Sequence, residues 1–150
     1  MKMTDKNFPE PRLTLSQAFE RGHLFAEACP SRDVLRHVTS RWGVLVFIAL
    51  LSGTHRFSEL RRKIGGVSER MLAQTLQWLE ADGFVLRVSH PVVPPHVEYS
   101  LTPLGREAGE KVQGLADWIE VNLPRIAETW ATASGAPQAD LVVPGPAGQS

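Results

Sequence analysis

Apolar residues recur at helical spacing along most of the chain, and the period changes once, just after Gly83. In "TLSQAFERGHLFAEA", Thr14 and Gln17 form a capping-box pair that predicts a first helix, weakened in its middle by Gly22. "CPSRDVLRHVTS" predicts a second, with Pro30 in its first turn and Val34, Leu35 and Val38 as its stripe. "RWGVLVFIALLSG" is apolar on all sides, which marks a central helix stopped at Ser52-Gly53. Phe57, Leu60 and Ile64 then recur at i, i+3 and i+7, a short helix ending at Gly65-Gly66. Ser68 is a natural N-cap for a helix running to about Asp82, with Gly83 as its stop. At roughly 100° per residue, Met71, Leu72, Thr75, Leu76 and Leu79 fall on one arc, expected to be buried. Glu69, Arg70, Ala73, Gln74, Gln77 and Glu80 fall on the other side.

Beyond Gly83, "FVLRVSH" and "VEYSLT" are β-branched and aromatic runs separated by "PVVPP", and they predict a two-stranded hairpin with a proline-stiffened tip. Thr102-Pro103 opens a long helix with the stripe Leu104, Ala108, Val112, Leu115 and Ile119, which Pro124 is expected to kink or end. The resulting fold class is mainly α with a small β-hairpin wing. Helix, helix, short helix, turn, helix, hairpin, long helix is the order of a winged helix-turn-helix domain with flanking helices. Its expected extent is residues 13–133, between a flexible N-terminal arm (1–12) and a disordered tail (134–150) rich in Ala, Gly, Pro and Ser.

Charge sharpens this picture. Sixteen basic and sixteen acidic residues balance, so a nucleic-acid partner has to be met by local charge. The outer face of the helix after Ser68 offers that chemistry. Arginine pairs bidentately with guanine and glutamine with adenine, so Ser68, Glu69, Arg70, Gln74 and Gln77 are the candidate base readers. Arg70 and Gln74, nearer the N-terminal end, are the leading pair. Glu69 repels phosphate unless it accepts from cytosine. Arg56, Arg61, Arg62 and Lys63, with Arg87, His90 and His96 around the hairpin, are candidate contacts to the DNA backbone. Basic residues on a helix surface are more often merely solvated; the order of the elements is what favours double-stranded DNA as partner.

Three stretches carry a family resemblance: "CP" at Cys29-Pro30, the run from Arg41 to Val85, and "PPHVEYSLTPLG". Together they span roughly residues 29–120, and the chain there resembles the HxlR-type winged helix-turn-helix regulators, relatives of the MarR group. The resemblance implies a homodimeric repressor or activator, with the terminal helices as dimerisation interface and one recognition helix per subunit. A two-fold dimer then predicts an inverted-repeat operator. It also implies a redox-sensing role for Cys29, since some relatives respond to oxidants or electrophiles through a cysteine there. The local chemistry allows it: Cys29 precedes a helix start, where unpaired N–H groups favour thiolate. A small buried thiol is the plainer alternative.

Other functions find little support. No Gly-rich phosphate loop and no nucleophilic triad is present, so an enzyme is not expected, nor a cofactor. His90 and His96 straddle the hairpin tip without a carboxylate at a convincing spacing, so no metal site is expected either. The N-terminus lacks a signal-peptide core, and "VLVFIALL" is far shorter than the ~20 residues of a membrane span. With a single cysteine, these features predict a cytoplasmic protein without a membrane partner. The competing reading is a winged-helix protein-interaction module that does not bind DNA.

Overall fold

The computed structural model describes Thr14, Ser16, Gln17 and residues 30–134. The expected N-terminal arm, most of the first helix, Cys29 and residues 135–150 lie outside the described residues. At the first helix, Thr14 and Gln17 do exchange the two bonds of a capping box, at 2.8 and 3.2 Å. Helix α1 spans Pro30–Val38, opening on its proline. A boundary between two compact units falls inside it, after Arg36.

From His37 onward the chain builds one core. Helix α2 (Arg41–Leu51) is capped by Ser40, whose hydroxyl accepts from the Gly43 N–H at 3.1 Å. Strand β1 (His55–Arg56), helix α3 (Phe57–Lys63) and helix α4 (Glu69–Ala81) follow. Strands β2 (Val85–His90) and β3 (His96–Leu101) form the hairpin, and helix α5 covers Pro103–Ser134. The central position expected of the all-apolar helix is what α2 occupies: it packs on α3, α4, α5 and β3. Val46, Phe47 and Leu50 are fully or almost fully buried there, with Leu60, Leu72, Leu76 and Leu79. Each such side chain contributes roughly 1.5–3 kcal/mol by leaving water. Phe47 meets Phe84 edge-on at 5.6 Å, which ties α2 to the start of β2.

Three findings depart from the sequence pattern. The sheet has three strands in the order β1-β3-β2, because the two-residue β1 pairs His55 with Tyr99 and Arg56 with Glu98. Met71 is 40% exposed, since it sits at the rim of the buried arc next to Thr75. The long helix buries Val112 of the expected stripe together with Gly105 and Gly109, while Leu104, Leu115 and Ile119 of that stripe are exposed. Glycine explains this choice of face. A Cβ on Gly105 would meet the Phe84 carbonyl oxygen at 1.9 Å, and one on Gly109 would press on Leu51 and Phe47 at 3.2–3.3 Å. The helix therefore approaches the core on its smallest residues. Pro124 does not end α5, which continues ten residues further with Ala127 and Ala131 buried.

Candidate nucleic-acid interface

Helix α3 is pinned on one side. Phe57 sets its ring 6.4 Å from Tyr99, and Leu60 and Ile64 are buried. Its entry is fixed by Glu59, whose carboxylate accepts from the Arg56 N–H at 2.7 Å. Arginine carries no acceptor, so only this half of a capping box forms. That hydrogen bond first, then the charges of His55, Arg56 and Arg62, hold the Glu59 carboxyl below its ordinary range. Burial of the stripe leaves Arg61, Arg62 and Lys63 exposed at the C-terminal end, where the helix dipole favours cations.

The turn between the helices needs Gly66, whose φ of +88° is left-handed. Val67 is buried and anchors the turn, and Ser68 caps α4 by accepting from the Met71 N–H at 3.1 Å. With Leu72, Thr75, Leu76 and Leu79 facing the core, Glu69, Arg70, Ala73 and Gln77 are exposed and Gln74 is half-buried. Arg70, Gln74 and Gln77 lie within roughly 60° of one another around the helix axis. Thr75, the one buried polar side chain among the described residues, satisfies itself by donating to the Met71 carbonyl at 2.8 Å.

Not every candidate stands with that face. Glu69 is engaged by Arg61 at 3.0 Å across the turn, so its negative charge is offset beside Arg70. Both groups are exposed, and the pair is worth at most about 1 kcal/mol. Lys63 folds back, with Nζ 3.3 Å from Ser52 Oγ and 3.2 Å from His55 Nε2. Arg56 and Arg62 are exposed. On the wing, Arg87 pairs with Tyr99 and His90 with His96, three residues further along the strand. Odd spacing puts Arg87 and His90 on opposite faces of the sheet.

The wing histidines also differ from expectation. Their carboxylate partner is Glu98, with His90 Nε2 at 2.7 Å and His96 Nε2 at 3.4 Å from its Oε1. Sequence spacing could not reveal it, because the His90–His96 register brings the third group round. Among the described residues, these three could hold a metal ion. Met71, expected in the core from its period, exposes its side chain at the border of the polar outer face of α4. Among the described residues, no single helix is long and apolar enough to cross a membrane.

A capped helix with a polar outer face, set by a short basic helix and followed by a hairpin, defines a winged helix-turn-helix transcriptional regulator. Residues 37–127 match the model of the HxlR-like helix-turn-helix family, and the chain belongs to that family. It is 70% identical over 115 residues to the uncharacterized HTH-type transcriptional regulator YtfH of Escherichia coli (strain K12), covering 77% of this chain and 91% of that protein. The structure of the putative transcriptional regulator ytfH from Salmonella typhimurium is similar at a TM-score of 0.68 and 72% identity, over 71% of this chain and 95% of that one. The redox regulator HypR in its oxidized form is similar at a TM-score of 0.58 and 39% identity, over 63% and 97% of the two chains. The two YtfH relatives are named as transcriptional regulators and HypR as a redox regulator.

Proposed function

We propose that the protein is a cytoplasmic homodimer that binds an inverted-repeat operator in double-stranded DNA and represses transcription. The carrying observation is the solvent-facing side of α4, where Arg70 and Gln77 are exposed and Gln74 half-buried beside them on a well-capped helix. In the major groove, Arg70 reads guanine and Gln74 reads adenine, with Gln77 further along. The Ser68 hydroxyl retains its proton for donation while its oxygen serves the cap. Glu69 acts chiefly through Arg61, and exposed Met71 provides apolar contact to a thymine methyl. Arg56, Arg61, Arg62, Lys63 and Arg87 contact phosphates. His90 and His96 reach the DNA backbone only when the tip lies along it.

Support for the dimer comes from α5, which leaves Leu115 and Trp118 each 57% exposed, with Ile119, Val121 and Trp130 also exposed. Apolar surface of this extent on one helix marks an interaction face. A second copy related by a two-fold axis covers it and presents two recognition helices to successive major grooves.

Titration against the DNA upstream of its own gene at several salt concentrations tests this reading. Log affinity is expected to fall steeply with log salt, because each phosphate contact releases a counterion. A flat salt response, or no binding, favours the protein-interaction module. Redox gating through Cys29 is supported by likeness to HypR and is read in the same titration. Diamide or a quinone is expected to weaken operator binding by the wild type and leave Cys29→Ser unaffected; an indifferent wild type excludes sensing.

A further inference from the structure

We propose that the wing carries a binding site for a divalent transition-metal ion of the zinc class, formed by His90, His96 and Glu98. The β2–β3 register places His90 directly opposite His96, and Glu98, two residues on, shares the His96 face. Both imidazoles therefore converge on one carboxylate oxygen, at 2.7 and 3.4 Å, and all three ligand atoms lie within 4.8 Å of one another. Donor atoms about 2.0–2.2 Å from a tetrahedral zinc stand roughly 3.3 Å apart. The His96–Glu98 separation already meets that spacing. His90 has to withdraw by about half an ångström from Glu98, and the two imidazole nitrogens, within 4.8 Å of each other, have to close toward that spacing by side-chain rotation.

The donor chemistry selects the ion. Two neutral imidazoles and one carboxylate suit zinc, nickel or copper, whereas calcium and magnesium require oxygen donors. All three side chains are partly exposed, so an ion can enter and keep water in its fourth position. Paired strands hold two of the ligands opposite each other before any ion arrives, so little chain ordering is left to binding. One cation faces the cluster: Arg56 on β1 pairs with Glu98, but its side chain is exposed and can turn to solvent. Without metal, the same groups lie in ion-pair contact, with the two rings stacked 4.8 Å apart across the strands.

The test uses the full-length, tag-free chain carrying Cys29→Ser, so that the thiol cannot act as a ligand. Zinc is titrated by calorimetry and cobalt(II) by visible absorption. The expected result is one ion per chain with micromolar or tighter affinity, and an intense tetrahedral cobalt spectrum. His90→Gln, His96→Gln and Glu98→Gln should each weaken binding by about tenfold or more. NMR of the otherwise unsubstituted protein gives a second readout, in which zinc shifts the His90 and His96 ring signals and leaves His37 and His55 in place. Binding weaker than micromolar, or variants that bind as tightly as the parent, would overturn the proposal and leave only a histidine–carboxylate contact.

Discussion

Single residues decide where this fold is strict and where it is tolerant. Gly105 meets the backbone carbonyl of Phe84 and Gly109 meets flexible side chains, so the same substitution separates them. Gly105→Ala is expected to destabilise by about 2 kcal/mol, because the clash exceeds the gain in helix propensity. Gly109→Ala should stay within about 1 kcal/mol of wild type, as Leu51 and Phe47 give way. Chemical denaturation measures both, and equal losses would contradict the distinction. Glu59 adds a pH signature. Its folded-state carboxyl is held low, chiefly by the Arg56 N–H, so its stabilisation is present above the ordinary carboxylate range. That contribution is lost as pH falls through the depressed folded value. Melting temperatures followed from neutral to acid pH should therefore show wild type above Glu59→Gln at neutrality, with the gap closing in acid.

At the scale of elements, the helix-turn-helix depends on where α4 begins. Ser68 supplies its N-cap, and Ser68→Ala is expected to cost about 1 kcal/mol and loosen the first turn, where Arg70 sits. Hydrogen exchange of the Glu69–Met71 amides should rise in that variant; unchanged protection would mean the turn is held by Val67 alone. Most of this architecture was legible in the sequence, since a helix announces itself through a local period and its caps. Ser68, Gly83 and Thr102-Pro103 marked their boundaries without tertiary information. What escaped depends on partners distant in the chain. β1 is too short to show a period, and Glu98 joins the wing histidines only through strand register. Of the expected α5 stripe Val112 is buried, but Leu104, Leu115 and Ile119 are exposed, and glycines rather than leucines make the closest approach. On the candidate interface, Arg70 and Gln77 stand exposed as their period indicated, but the Arg61–Glu69 pair follows from the turn geometry.

For the whole molecule, zero net charge conceals an uneven distribution. Arg56, Arg62 and Arg70 are exposed around the same helix pair, with Arg61 balancing Glu69. In the proposed dimer, the exposed apolar side of α5 meets the second subunit. Trp118→Glu is expected to convert a dimer to a monomer in light scattering, and to weaken operator binding with it; a variant that stays dimeric would place the interface elsewhere. The most direct measurement is the ratio of operator to random-DNA affinity for wild type, Arg70→Ala and Arg62→Ala at fixed salt. Arg70→Ala should lose about 1–3 kcal/mol on the operator alone, shrinking that ratio, whereas Arg62→Ala should weaken both DNAs alike. Equal loss on the two DNAs for Arg70→Ala, or none on either, would contradict the assignment of α4 as the helix that reads sequence.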